Sequence, residues 1–269
     1  LKGTPVLVGS SDYSAALLGS GVTKVGLGSE VMGTSSIITT ITPNPLLNSA
    51  ISNVGTVEGN WGAFMLLESG GDAMRWARRA IHEKAVEYED IVKKAALAPV
   101  GSDRLFYLPY LTGERFGEHR NIRAQFFGLA ASHGQSHLHR SVLEGVAFAS
   151  KRHIGIMEEA SGTKLEGIVA SGGGAKAKLW MEIKASVYNM PILVPSEAEC
   201  GIVGCAAMAM TATGRFSNVV DAAESYVTYS DEIKPNPKWV DIYHPMQTFF
   251  EKLYSHSQAL YDDLDRLGK

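Results

Sequence analysis

The chain has 269 residues, enough to bury a sizeable core in one large domain or two small ones, and its 45% apolar and 20% charged fractions are ordinary for a globular protein. A balance of 25 Lys and Arg against 28 Asp and Glu leaves a formal charge of −3, too mild to draw a nucleic acid or a membrane surface as partner. Two cysteines, Cys200 and Cys205, are too few for a disulfide framework or a zinc cage and fit a reducing cytoplasm.

In chain order, Val6–Val8 reads as a strand, Ser10-Ser11-Asp12 as a turn and Ala15–Leu18 as the start of a helix. With Leu1 rather than Met at its head and no capping segment before that strand, the chain is expected to be a piece of a longer protein. Val22–Leu27 and Ile37–Ile41 are β-branched runs separated by GSEVMGTSS, a composition suited to a hairpin. From Trp61 to Val92 the pattern is helical, divided at Gly70-Gly71, with Trp76, Ala80, Ile81 and Lys84 at helical spacing. Leu105–Leu111 is a short apolar run broken by Pro109, and a charged loop, GERFGEHRNIR, follows it.

Ser136–Glu159 predicts a long amphipathic helix with Leu138, Val142, Val146, Phe148 and Ile154 on its apolar side. Then come a strand at Gly167–Ala170, the turn SGGG, a helix at Lys176–Tyr188, a strand at Ile192–Val194 and a small-residue helix, Gly204–Thr213, stopped by Gly214. CGIVGCAAMAM, the most continuous apolar segment, is shorter than the roughly 20 residues that span a bilayer, and no leader or anchor is expected. A last helix is predicted over Tyr243–Leu267, after the bend at Pro235-Asn236-Pro237. The alternation of β with α in the second half calls for a layered α/β sheet covered by helices.

Three glycine-rich turns follow or join strands: GSSD (Gly9–Asp12), MGTSS (Met32–Ser36) and SGGGAKAKLW (Ser171–Trp180). Glycine at such places lets backbone N–H groups approach an anion, and a helix starting there adds a favourable dipole; plain turn chemistry is the alternative. Neither a GxxxxGK[ST] phosphate loop nor a GxGxxG fingerprint is present, so a nucleotide would have to be held by several separated turns. Asp12 has two readings: a helix N-cap, or a carboxylate projecting from a strand end into a cleft, as a general base requires.

These turns, in this order, resemble the carboxy-terminal half of the FGGY carbohydrate kinases, which include xylulose, gluconate and glycerol kinases. FFGLAASHGQSHLHRSVLEG (Phe126–Gly145) carries the strongest match, with Ala124, Phe126, Gly128, Leu129, His137, Leu138, Ser141, Val142, Leu143 and Glu144 in the family's register. LPYLTGER (Leu108–Arg115) precedes it and SGGGAKAKLW follows it, as in the family. The resemblance implies a ribonuclease-H-like α/β domain of the actin and hexokinase superfamily, with a mixed sheet flanked by helices. It also implies that residues 1–269 are the nucleotide-side domain of such a kinase and that an amino-terminal sugar-binding domain lies outside them.

For individual residues the resemblance implies that Asp12 takes the proton from the attacking sugar hydroxyl, and that Gly33 and Thr34 meet the β- and γ-phosphates of ATP. Gly173 and Gly174 would pack against adenosine, Lys178 would touch the base or ribose, and Gly71 and Arg75 would form a further nucleotide wall. Arg75 reads equally as a solvated helix residue. The implied partners are ATP with Mg2+ and a small sugar, a ketopentose such as xylulose first and gluconate second; a homodimer is the commonest homo-oligomer. A non-enzymatic nucleotide-binding or regulatory module of the same superfamily is the other class. The missing half implies that these 269 residues alone bind ATP weakly and transfer phosphate poorly.

His133, His137, His139 and His153 lack an acid or cysteine at ligand spacing, so solvated or capping roles are expected rather than a metal site. Glu114 and Arg115 are expected to form an ion pair or a loop anchor. Tyr13 after Asp12, Ser36 where glycine is frequent, no Thr-Pro after Arg115, and Ala124-Gln125 for a frequent Arg-Gly all depart from the family pattern.

Overall fold

The sheet grows outward from one hairpin. In the computed structural model, which describes residues 3–82, 86–117 and 119–267, Leu27–Met32 (β1) and Ser36–Thr42 (β2) pair antiparallel around a turn at 33–35, with Met32 opposite Ser36 and Gly28 opposite Thr40. Leu1 and Lys84 lie outside the described residues. A hairpin forms, but its first strand lies almost wholly in the stretch expected to be the connection, sharing only Leu27 with the expected Val22–Leu27 run. Val22 is fully buried and its N–H caps the preceding helix through Leu17 O at 3.0 Å, so it serves the helix end and not the ladder.

Ser52–Gly55 (β3) and Trp61–Leu67 (β4) extend the hairpin on one side. β4 pairs with β2 over seven residues, from Ser36 opposite Leu67 to Thr42 opposite Trp61. The helix expected from Trp61 is therefore a strand: a ladder of that length overrides the local pattern, as strand preference is largely set by tertiary neighbours. Phe106–Leu108 (β5) and Gln125–Phe127 (β6) form a separate two-stranded sheet. On the hairpin's other side follow Gly167–Ser171 (β7), Ile192–Pro195 (β8) and Tyr229–Ile233 (β9). The seven-stranded order is β3-β4-β2-β1-β7-β8-β9, with β1, β7 and β8 parallel to one another and β2, β3 and β9 reversed.

Helices cover both faces, as the alternation along each strand requires. Ile38, Met65, Ile168, Ala170 and Ile192 join the main core with Gly71–Ala80 (α2), Tyr88–Ala95 (α3), Gln135–Ser161 (α4), Lys178–Tyr188 (α5) and Pro237–His256 (α8). On the other face, Ile41 and Val169 pack with Leu17 of Asp12–Gly19 (α1), which in turn lies on Cys200–Ala212 (α6). Val219–Glu224 (α7) packs on α6, and Gln258–Leu264 (α9) follows α8. The small-residue helix α6 and the last long helix both begin earlier than their sequence patterns showed.

Val6–Val8 is not a strand. Val6 is 96% and Val8 100% exposed, and no described strand pairs with the segment. A strand with neither ladder nor apolar cover has nothing to hold it.

Candidate functional site

Three loops meet at one edge of the sheet because three strands run the same way. β2 is antiparallel to both β1 and β4, and β7 is parallel to β1, so the chain leaves β1, β4 and β7 at a common edge. There Gly33 of the 33–35 turn, the start of α2 at Gly71 and the glycines 173 and 174 help enclose a cavity of about 700 Å3. That volume lies within the range of small-molecule sites, and the ends of parallel strands are where α/β sheets place them.

Of the eight residues singled out in the sequence, Gly33, Gly71, Arg75, Gly173, Gly174 and Lys178 line this cavity. Thr34 is beside it: Arg75 Nη2 donates to Thr34 Oγ1 at 3.0 Å, and the Asp72 N–H donates to Thr34 O at 2.9 Å. Arg75 is steadied by Asp72 at 3.3 Å, so it is not simply solvated, although 47% of its side chain stays exposed.

The four glycines divide into two kinds. A Cβ on Gly71 would sit 2.2 Å from Gly33 O, and one on Gly174 would sit 2.8 Å from Met32 Cβ, so packing alone demands glycine at both. Gly33 and Gly173 are different. Neither has a positive φ, a Cβ on Gly33 would meet no protein atom closer than 4.0 Å, and one on Gly173 would meet none within 4 Å. Both line the cavity, and no packing demand makes either a glycine, which leaves their backbone open to close approach of a ligand.

The cavity has two characters. Met32, Met74, Tyr88, Val92 and Trp180 make an apolar wall, while Arg75, Lys93, Lys176 and Lys178 stand against one acid, Glu89. An apolar body with an anionic end suits it best. The wall from α3 was missed in the sequence, although Tyr88, Ile91, Val92 and Ala95 recur at helical spacing. Arg78 holds that helix from α2, with its guanidinium 4.7 Å from the Tyr88 ring centre.

Asp12 stands apart. It is exposed in the first turn of α1, on the sheet face opposite α2, and is not among the residues lining the cavity. It is not the N-cap: Ser11 takes that place, accepting from the Ser14 N–H at 3.2 Å, while Asp12 Oδ1 accepts from the Tyr13 N–H at 2.8 Å. Tyr13 anchors the turn by hydrogen bonding Thr39 Oγ1 on β2. Its hydroxyl is pushed up to about 12 by burial, outweighing the opposing Thr39 bond.

Two expectations outside the cavity meet different outcomes. Glu114 and Arg115 act as loop anchors rather than as a pair with each other: Arg115 meets Glu68 at 3.0 Å, whereas Glu114 is buried against Arg152 at 3.5 Å and Tyr254 Oη at 2.5 Å. Burial would raise the Glu114 carboxyl, but the nearby His153 ring, the Tyr254 hydrogen bond and the Arg152 charge hold it below its ordinary value. The histidine expectation needs correction, because not all four are solvated or capping. His137 does receive the Gly134 N–H at 3.2 Å at the start of α4, but His139 and His153 are each 1% exposed. Their helix turns them inward, His139 onto His82 with 2.7 Å between the Nε2 atoms and His153 toward Glu114 at 3.9 Å.

Among the described residues, no group of three or more His, Cys, Asp and Glu side chains stands together that could hold a metal ion. These residues do not by themselves fit a protein-held magnesium. Among the same residues no helix is long and apolar enough to cross a membrane.

Comparison with known proteins places this geometry. The profile described as FGGY family of carbohydrate kinases, C-terminal domain, matches residues 28–213. The chain is 26% identical over 265 residues to a xylulose kinase of Staphylococcus epidermidis, covering 96% of this chain and 53% of that protein. It is also 26% identical over 270 residues to a gluconokinase of Bacillus subtilis, covering 94% and 53%. The crystal structure of xylulose kinase from Rhodospirillum rubrum superposes with a TM-score of 0.88 at 26% identity, over 97% of this chain and 53% of that one. The chain thus spans about half the length of the curated relatives it matches.

Proposed function

The chain belongs to the FGGY family of carbohydrate kinases, and on that premise we propose that it supplies the nucleotide side of an enzyme that moves the terminal phosphoryl group of ATP to a hydroxyl of a small sugar, a ketopentose such as xylulose first. The observation that carries the reading is the pair Gly33 and Gly173, which line one cavity without any packing reason for glycine. Phosphoryl transfer depends on positioning and charge neutralisation more than on covalent chemistry by the protein. The chain's own contributions fit that division. The apolar wall around Trp180 takes the nucleoside, the backbone at Gly33 and Thr34 takes the phosphates, and Arg75 and Lys178 offset their charge. Asp12, exposed at the end of its loop, accepts the sugar hydroxyl proton once a sugar is presented to it. Magnesium in such reactions is carried largely by substrate phosphates and water, and it enters the proposal in that form.

The strand order β4-β2-β1-β7-β8, with β2 alone reversed, supports the ribonuclease-H-like reading of the fold. A cytoplasmic setting, residues 1–269 as one domain beside a sugar-binding domain, and assembly as a homodimer belong to the same proposal.

Two further readings have observations behind them. Gluconate is the second substrate, because a gluconokinase is as similar to the chain as a xylulose kinase is. A nucleotide-binding module without catalysis is favoured by the absence of Asp12 from the residues that line the cavity. The test is a panel of ketopentoses, aldopentoses, gluconate and glycerol offered with ATP and magnesium to the complete protein, with ADP release followed. Release dependent on one sugar supports the kinase; ADP binding without sugar-dependent release supports the module.

A further inference from the structure

Ser36 stands where the family pattern often has glycine, and the structure gives its hydroxyl a partner. Ser36 Oγ donates to Glu30 Oε1 at 2.6 Å. Glu30, on β1, is fully buried and also accepts from Ser150 Oγ at 3.1 Å, from Tyr188 Oη at 2.9 Å and from Lys184 Nζ. Both partners of that ion pair are sealed from solvent. Lys184 Nζ donates onward to Tyr188 Oη at 3.0 Å and lies 5.2 Å from the Trp180 ring centre. Burial alone would push the Glu30 carboxyl up, but the Lys184 ammonium and the hydroxyl donors hold it below its ordinary value, so it is a carboxylate.

A buried ion pair is costly to form, and an apolar pair of similar volume commonly gives equal or greater stability. Stability therefore does not account for this one; its position does. One end of the network grips the first residue of β2, directly after the 33–35 turn. The other end braces Trp180, whose ring lines the cavity and lies where a Cβ on Gly174 would come within 3.2 Å. The pair thus joins the two sides between which a nucleotide would lie, from behind both.

We propose that Ser36, Glu30 and Lys184 are positioning residues that fix the spacing between the phosphate-facing turn and the nucleoside-facing wall, and so set nucleotide affinity. They line no part of the cavity and act through the 33–35 turn and Trp180. This rests on the reading of the cavity as an ATP site.

The test is calorimetric titration of ADP into the wild-type protein, a Ser36→Ala variant and a Glu30→Met/Lys184→Met double variant, with melting temperatures recorded for each. Both variants should bind ADP about fivefold or more weakly, the range expected of coupled neighbours. In turnover assays the nucleotide KM should rise while the sugar KM and kcat hold, a split that general loss of structure does not give. Should the double variant fail to fold, Tyr188→Phe removes one donor to Glu30 and one acceptor for Lys184 more gently. If the wild-type protein takes up no ADP, the ATP reading falls and this inference falls with it. If the wild type binds and the folded variants match it within about twofold, whatever their melting temperatures, the positioning role alone is overturned.

Discussion

Arg75 Nη2 donates to Thr34 Oγ1 over 3.0 Å, joining α2 to the β1–β2 turn across 41 positions of sequence. The bond holds a guanidinium of the cavity lining, and Asp72 pairs with it at 3.3 Å. An exposed ion pair of that kind adds little stability, so its loss should show in binding. Arg75→Met is expected to weaken ADP about tenfold, as loss of a charge-assisted phosphate contact does, and to change folding stability by no more than about 0.5 kcal/mol. Calorimetry and denaturant melts check both numbers; unchanged ADP affinity would return Arg75 to the class of solvated helix residues.

The two kinds of glycine predict opposite phenotypes from one substitution. Gly173→Ala adds a methyl to open space at a residue that lines the cavity, so stability should hold or rise by about 0.4–1 kcal/mol while ADP binding falls. Gly174→Ala forces a Cβ to 2.8 Å from Met32 Cβ and 3.2 Å from the Trp180 ring. It should cost about 1–3 kcal/mol through overpacking. Thermal melts beside ADP titrations read the crossing; equal stability losses at both positions would remove the ligand-facing reading of Gly173.

What the sequence made legible follows from where each signal is local. Gly33, Gly173 and the helix start at Gly71 lie in strand-to-loop contexts that can be read in a few residues, and their convergence follows once strand directions are known. Tyr88 and Val92 could not be assigned to the site without knowing that α3 folds back against it. Trp61–Leu67 read as helix because its ladder partner, β2, lies about twenty residues upstream and its apolar run carries no strict alternation, although Gly59-Asn60 and Gly70-Gly71 mark turns at its ends. Val6–Val8 read as strand because β-branched residues favour one, yet no partner was visible to show the segment unpaired. The burial of His139 depends on which face of α4 meets α2 and α3. The use of Ser36 depends on Lys184, 148 positions later, which no spacing rule connects to it.

His139 makes stability depend on pH. Burial, with the His82 and Lys94 charges nearby, brings its imidazole down to about 4 from an ordinary 6.5. The folded protein therefore binds fewer protons than the unfolded chain between those values, and stability falls as the solution is acidified. The stability is full above pH 6.5, declines toward pH 4 and levels off below. Between pH 7.5 and 5 this one group should cost about 2 kcal/mol, a loss that a His139→Phe variant should largely lack. Urea melts at the two pH values measure it. Equal acid sensitivity in both proteins would assign the effect to other groups.

Asp12 and Ser11 separate catalysis from capping at adjacent positions. Because Ser11 Oγ accepts the Ser14 N–H at 3.2 Å, α1 does not need the Asp12 carboxylate to start. Ser11→Ala should lower stability by about 1 kcal/mol, the usual cost of a lost N-cap. Asp12→Asn should leave the melting temperature near that of the wild type, and because Asp12 is not a wall of the cavity, ADP affinity should hold as well. Sugar-dependent turnover of the complete protein should nevertheless fall about 100- to 10,000-fold, the range for a lost general base. Since the base acts only on the hydroxyl that attacks, the loss should appear in kcat, with the nucleotide KM little changed. Turnover that survives Asp12→Asn with little loss would take the base role from this residue and leave the chain as a nucleotide-binding partner in the reaction.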